Sequence, residues 1–249
     1  MRERLSLVLV TTLLVASLPL SASAATVDAE QFADMCNTAP GGLIHVSGRL
    51  KVTGGSGKLT QSCVVALGDA AKVIFRDVTR LYTSCATPCT LNIGGSSGND
   101  VVVKIINSTI EMDGDIQLTA GQNEDIVSAG GLLKVIDSVI IANSVELSAA
   151  VGFAFSSVGN AGGRVVVRNS RIVATETIFH SGVLIDSNAG GRSIVTDTMI
   201  EAVTALMILS DNGTAKVKRN IFSSTPTVTV TANGGTCVTI DNTPSVACS

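Results

Sequence analysis

The chain has 249 residues, a formal net charge of −3, 24 glycines, no tryptophan and one tyrosine. A weakly acidic chain without a Lys- or Arg-rich run lacks the basic footprint that nucleic acid and anionic membranes need, so we expect neither as a partner. Val, Ile and Thr are abundant while helix formers are scarce, which predicts an all-β protein.

The first 24 residues have the features of a secretory signal peptide. Arg2 and Arg4 form a basic start, residues 5–20 are mainly apolar, and Ala22-Ser23-Ala24 has the small-x-small form of a cleavage site. The apolar stretch is short for a bilayer span. We predict that residues 1–24 are removed, with an uncleaved anchor as the alternative. Residues 25–249 would then form one domain in a secreted, periplasmic or cell-surface protein without a membrane span.

A short motif recurs six times between residues 77 and 220. An Asp or Asn follows a β-branched run and precedes another apolar residue, with gaps of 30, 30, 32, 28 and 23 residues. These anchor residues are Asp77, Asn107, Asp137, Asn169, Asp197 and Asn220. A period in this range is typical of a solenoid, in which a repeat cannot fold alone. Apolar alternation around the anchors predicts half-buried strands, and Asn or Asp suits the bend between two of them.

Glycine-rich segments at 129–131, 160–164 and 188–192 mark a second corner in the repeats. Two or three short strands per repeat predict a single-stranded parallel β-helix with coils about 4.8 Å apart. A β-sandwich is the alternative, although it requires hairpin turns every 8–12 residues or so. Residues 25–40 are predicted to contain a short helix that caps the N-terminal end, and residues 234–249 to form a tied-down tail.

Six cysteines in an exported chain predict disulfide bonds. The sequence leaves 15 pairings open, of which neighbour pairing is the simplest: Cys36–Cys63, Cys85–Cys89 and Cys237–Cys248. A metal site is the alternative. It is disfavoured because no Cys-x-x-Cys pair occurs and neither His45 nor His180 lies near a cysteine.

Repeats of the form apolar-x-(Asn/Asp)-(Ser/Thr)-x-Ile, such as residues 135–140, stand together with a signal peptide and an N-terminal helix. This combination resembles the pectate-lyase-like right-handed β-helix superfamily over residues 40–249. The resemblance implies a right-handed coil that acts on polysaccharide in a groove along one face. The signature strings of its lyases and hydrolases, including Asn-Thr-Asp, Asp-Asp, Gly-His-Gly and Arg-Ile-Lys, are absent. The sequence therefore favours a rigid extracellular binding or structural surface over a lyase or glycoside hydrolase with a non-standard site.

Several charged residues are candidates for a site. If the second strands of two repeats start at equivalent places, Asp115 and Glu146 lie on neighbouring coils and form a candidate acid–base pair. Asp113 and Asp115 are candidate ligands for Ca²⁺, and otherwise no cofactor is expected. Four arginines form a candidate binding strip for polysaccharide or another anionic cell-surface component: Arg164, Arg168, Arg171 and Arg192. The alternative for all these charges is a solvated face with local ion pairs.

Overall fold

The computed structural model describes residues 20–94, 100–122, 131–151, 163–175, 183–187, 190–210, 212–223 and 227–249. Within these ranges the chain forms 23 strands, one α-helix and one short 3-10 helix. Every pairing between these strands is parallel. The prediction of an all-β parallel β-helix with a short N-terminal helix is confirmed.

Each complete coil contributes one strand to each of three ladders. The chain begins with β1 (Leu20–Val27), α1 (Ala29–Thr38) and the 3-10 helix (Pro40–Gly42). The first ladder contains β2 (Leu43–Thr53), β4 (Cys63–Leu67), β7 (Leu91–Gly94), β10 (Ile116–Gln122), β13 (Val145–Val151), β16 (Val183–Ser187), β19 (Ala205–Ser210) and β22 (Thr227–Thr231). The second ladder starts from the second half of β2 and continues through β5 (Lys72–Arg76), β8 (Val102–Ile106), β11 (Leu132–Ile136), β14 (Arg164–Arg168), β17 (Arg192–Thr196), β20 (Thr214–Lys218) and β23 (Thr236–Ile240). The third ladder contains β3 (Ser56–Leu59), β6 (Arg80–Thr83), β9 (Thr109–Glu111), β12 (Val139–Ala142), β15 (Arg171–Ala174), β18 (Met199–Ala202) and β21 (Ile221–Ser223).

The core lies inside the coil and is filled from all three ladders. In one coil, Leu133 and Val135 of β11 and Ile140 of β12 are fully buried. The residues between them along each strand point outward, because successive side chains of a strand alternate between its faces. A single coil buries little surface by itself, so stability comes from stacking it on its neighbours.

The helix α1 covers the N-terminal end of the coil. The carboxylate of Asp28 accepts a hydrogen bond from the Gln31 backbone N–H at 2.8 Å, and the Gln31 side chain accepts one from the Asp28 N–H at 3.0 Å. Phe32 packs edge-on against Phe75 of the second ladder, with ring centroids 5.1 Å apart. Gly57 is required beneath the helix, because a Cβ there would lie 2.0 Å from a carbonyl oxygen of α1.

All three disulfide bonds expected from neighbour pairing are present: Cys36–Cys63, Cys85–Cys89 and Cys237–Cys248. The first joins α1 to β4, and the third joins the tail to β23. The tail also pairs with the last coil, where Thr243 bridges to Ile221 and Cys248 bridges to Val230. Both ends of the described coil are therefore covalently fastened.

Strand β1 crosses the predicted cleavage site. It pairs with β2 from Leu20 opposite Ile44 to Val27 opposite Val52, so cleavage after Ala24 would divide it. The signal peptide stays a prediction, since residues 1–19 lie outside the described part of the chain. In the ranges that the structure describes, we find no helix with the length and apolar character needed to cross a bilayer.

Candidate binding surface

The predicted anchor residues form a row along the corner between the second and third ladders, here called the corner row. Its first five members have φ between 46° and 56°. They are Asp77, Asn107, Asp137, Asn169 and Asp197. Asn and Asp adopt this left-handed conformation more readily than other residues with a Cβ, so the backbone accounts for their recurrence.

Neighbouring members of the corner row form hydrogen bonds with each other. The amide nitrogen of Asn107 donates to the Asp77 carboxylate at 2.9 Å, and that of Asn169 donates to Asp137 at 2.8 Å. The alternation of acid and amide along the chain thus places an acceptor next to a donor in the following coil.

The sixth coil departs from the sequence prediction. Arg219, not Asn220, has the positive φ of 51°, and Asn220 is the next residue, which is 1% exposed. The prediction was wrong by one residue because Asn220 takes the buried position that Ser108 and Ser138 hold in earlier coils, which leaves the bend to Arg219. The Arg219 guanidinium binds both carboxylate oxygens of Asp197 at 2.7 and 2.9 Å, and this hydrogen bonding holds the pKa of Asp197 below its ordinary value.

A second row of polar residues lies just inside the corner and is buried. The Ser138 hydroxyl accepts a hydrogen bond from the Ser108 N–H at 3.2 Å and donates to the carbonyl of its own strand at 2.6 Å. The Asn220 side chain accepts from the Thr198 N–H and donates to the Val195 carbonyl, both at 3.0 Å. These side chains satisfy backbone groups that the bend removes from the ladders.

The outward side of the second ladder carries a dense set of cations, here called the basic face. Each of its eight strands, counting Arg49–Thr53 of β2, presents its first, third and fifth residues outward. None of these positions holds Asp or Glu, and eleven hold Lys or Arg, out of 17 Lys and Arg residues in the chain. They are Arg49, Lys51, Lys72, Arg76, Lys104, Lys134, Arg164, Arg168, Arg192, Lys216 and Lys218.

Like charges lie directly opposite each other on this face. The pairs in register on adjacent strands are Arg49–Lys72, Lys104–Lys134 and Arg164–Arg192. Adjacent strands are about 4.8 Å apart, so such pairs repel. Burial and the charges of its neighbours, Lys134 foremost, hold the pKa of Lys104 below its ordinary value of 10.5.

The ion pairs that the described ranges show lie beside the basic face. Within the described ranges, Arg80–Glu111, Arg171–Glu201 and Arg219–Asp197 form ion pairs, and none of these three involves a residue of the face. The other outward positions of the face hold aliphatic residues and threonines, without an aromatic side chain. Eight strands and five residues per strand give the face a length of about 34 Å and a width of about 13 Å.

The predicted arginine strip is brought together in part. Arg164 and Arg192 are opposite each other on the basic face, and Arg168 lies at the other end of β14. Arg171 lies past the corner on β15, where its guanidinium contacts the Glu201 carboxylate at 2.9 Å. The lysines of the face were missed because they are separated by about one repeat in sequence and form no local run.

A groove runs beside the basic face, between the corner row and the start of the third-ladder strands. One stretch has a volume of about 490 Å³ and another about 390 Å³, and they share Asp137 and Val139. The larger stretch is lined in part by Asn169, Asp197, Met199, Arg219 and Ile221. Carboxylate, amide and guanidinium groups therefore line the groove next to the cations.

The structure does not pair the two candidate catalytic carboxylates. Asp115 precedes β10 and accepts a hydrogen bond from the Ser144 hydroxyl at 2.9 Å. Glu146 lies opposite Gln117 and accepts a hydrogen bond from its amide at 2.9 Å. The assumed equivalence of Asp115 and Glu146 is wrong by two residues, and a catalytic role for either stays a prediction.

Asp113, the other candidate metal ligand, lies against the loop closed by Cys85 and Cys89. Burial alone raises the pKa of Asp113, but hydrogen bonds from Thr83 and from the backbone N–H of Cys89 outweigh it and leave this pKa below the ordinary value. The sulfurs of Cys85 and Cys89 approach the Asp113 carboxylate within 4.8 Å, but they are joined in the disulfide. The Ca²⁺ prediction stays untested.

The histidines add no observed chemistry. His45 is exposed on β2, while His180 lies outside the described residues. Comparisons of the chain with protein-family models, with curated proteins and with solved structures found no match.

Proposed function

We propose that the protein is an exported, rigid β-helix whose basic face binds an acidic polysaccharide at the cell exterior. The observation that carries this proposal is a face whose outward positions hold eleven Lys and Arg residues and no Asp or Glu, on a chain of net charge −3. Cations held at fixed positions repel each other, and a bound polyanion relieves this repulsion by supplying the opposite charge. The binding role is preferred to catalysis because the outward positions of the face, all of which the structure describes, hold no carboxylate.

The neighbouring side chains favour a charged sugar polymer over nucleic acid. Proteins that bind single-stranded nucleic acid combine cations with aromatic side chains on which bases stack, and the basic face carries no aromatic residue. In the adjoining groove, Asn169 donates one N–H to Asp137, and the second amide N–H and second carboxylate oxygen of this pair can exchange hydrogen bonds with sugar hydroxyls. Three disulfide bonds support export to an oxidising compartment.

We also infer membership of the pectate-lyase-like right-handed β-helix superfamily. Parallel coils with three strands each, an N-terminal capping helix and Asn or Asp at one corner support this assignment. The finer assignment is independent of the binding proposal, because the basic face depends on this chain's own outward residues.

A binding panel tests the proposal directly. The full mature chain is titrated with polygalacturonate, neutral dextran, single-stranded DNA and anionic lipid vesicles, and each mixture is also examined for cleavage products. We expect binding of polygalacturonate, with a logarithm of affinity that falls linearly with the logarithm of salt concentration, and no binding of dextran. Binding of DNA or vesicles without polygalacturonate would overturn the proposal, as would turnover of any polymer.

Two matched variants locate the binding surface. Lys134→Glu reverses a charge in the middle of the basic face, while Lys58→Glu reverses an exposed charge on β3, outside it. We expect the first to weaken polygalacturonate binding about tenfold or more and the second to leave it unchanged. Equal losses in the two variants would place the binding elsewhere.

A further inference from the structure

The basic face has two chemically different parts. Its early strands carry the lysine patch, defined as Lys51, Lys72, Lys104 and Lys134, and beside it Arg49 and Arg76 on β2 and β5. Strands β14 and β17 carry the arginine patch, defined as Arg164, Arg168 and Arg192. Both patches include a pair of like charges in register on adjacent strands, Lys104–Lys134 at the central position and Arg164–Arg192 at the first position.

The two cations recognise anions by different means. A guanidinium is planar and offers a fork of N–H donors that matches a planar carboxylate in two parallel bonds. An ammonium is a compact point charge with donors that rotate, so it discriminates by the charge of its partner more than by shape. The arginine patch is therefore suited to bind a carboxylate, whereas the lysine patch binds an anion more tightly as the charge of that anion increases.

Three lysines of the patch lie on three consecutive strands of the ladder. Lys104 and Lys134 occupy the central outward position of adjacent strands, and Lys72 lies at an outer position of the strand before them. A phosphomonoester carries a charge of about −1.5 to −2 at pH 7 on three acceptor oxygens. At equal distances its Coulomb attraction to these three ammonium groups is up to about twice that of a carboxylate.

We propose that the lysine patch is a binding subsite for phosphomonoester groups, and that the natural ligand is a polysaccharide that carries them. This inference rests on the proposed function, since it names the class of polymer that the basic face selects. Burial is the first cause of the lowered pKa of Lys104 and repulsion from Lys134 the next, and a dianion between the two lysines relieves that repulsion, which supports the assignment.

Three polymers with one backbone test the inference: dextran phosphate, carboxymethyl dextran of equal degree of substitution, and unmodified dextran. We expect the wild-type chain to bind dextran phosphate at least several-fold more tightly than carboxymethyl dextran at pH 7.5. Because the second phosphate pKa is about 6, this advantage should shrink markedly at pH 5.5, while carboxymethyl dextran binding changes little.

Two double variants separate the patches. Lys104→Met with Lys134→Met, and Arg164→Met with Arg192→Met, each remove one in-register pair of like charges. We expect the lysine variant to lose its preference for dextran phosphate, and the arginine variant to bind both polymers more weakly while keeping the preference. Melting temperatures verify folding, and the corresponding Gln variants replace any Met variant that fails to fold.

The outcomes distinguish the two proposals. If wild-type protein binds neither charged dextran, both proposals fail. If it binds both with equal affinity, or if the two double variants lose the phosphate preference equally, the acidic-polymer function stands and the phosphate subsite is rejected.

Discussion

The corner row and the basic face both recur once per coil and adjoin each other, yet their polar groups behave in opposite ways. In the corner row, Asn107 donates to Asp77 and Asn169 donates to Asp137, and the positive φ of the backbone explains their residue types. In the basic face, Lys104 lies opposite Lys134 without an acidic partner in the described structure. The recurring polar groups of the corner row bond to each other and stabilise the coil. The recurring cations of the basic face repel each other, which is why we propose a ligand for them.

Neutralising the basic face should have the largest effect, and it should fall on binding alone. Replacing Lys72, Lys104, Lys134 and Arg164 by Gln removes four outward-facing cations without changing a core residue. We expect affinity for an acidic polymer to fall by about a hundredfold or more, while the free energy of unfolding is unchanged or slightly higher. Calorimetric titration and urea denaturation measure the two quantities. A large loss of stability would show that the basic face stabilises the fold, as the corner row does, and would contradict the difference between the two.

Changing the buried row inside the corner should have the converse effect. Asn220→Leu leaves the Thr198 N–H and the Val195 carbonyl without their hydrogen bonds in a buried site. We expect a loss of about 3 kcal/mol in the free energy of unfolding, with polymer affinity retained by the folded fraction. Thr109→Val, at a half-exposed strand position, is the control and should stay within about 0.5 kcal/mol. A neutral Asn220→Leu would contradict the structural role of this row.

The exposed corner row should give a smaller loss that depends on backbone conformation. Asp137 has φ of 51°, which costs a residue with a Cβ about 1 kcal/mol more than glycine. We expect Asp137→Ala to lower the free energy of unfolding by about 1 kcal/mol and Asp137→Gly to change it little. If both substitutions cost the same, the carboxylate and not the left-handed bend is what stabilises the corner.

The pH dependence of stability should show the smallest effect. Lys104 has a lowered pKa in the folded protein, so between that pKa and 10.5 the unfolded chain binds more protons than the folded one. Stability therefore rises with pH through this window, because deprotonation removes a partly buried charge and its repulsion by Lys134. Lys104→Met should flatten this part of the profile relative to wild type in urea titrations at pH 7 to 10.5. A profile identical to that of wild type would show that the pKa of Lys104 is not lowered in the folded protein.

The architecture could be predicted from sequence because each coil repeats the same residue types at a regular spacing. The spacing of Asp77, Asn107 and Asp137 equals one coil, and neighbour pairing of the cysteines follows from chain proximity. The register of later coils could not be predicted. Asp115 and Glu146 both stand near the start of a strand, and only the pairing of Ile116 with Val145 separates them by two positions.

The basic face was hidden for a related reason. Lys104 and Lys134 are 30 residues apart, and net charge averages them with the acids of the corner row and the loops. The expectation that the chain has no concentrated basic surface is therefore wrong, although the absence of nucleic acid as a partner stays a prediction. A count of charge by coil position, in place of charge by chain segment, is the signal that would have found it.

The disulfides at the two ends determine where the coil can begin to come apart. A stacked array normally frays from its terminal repeats, because each of these has a neighbour on one side only. Here Cys36–Cys63 holds the helical cap to the first coils and Cys237–Cys248 holds the tail on the last strand. Progressive unzipping from either end is obstructed, so the protein should persist as a slowly unfolding rod in surroundings where proteases act on frayed ends.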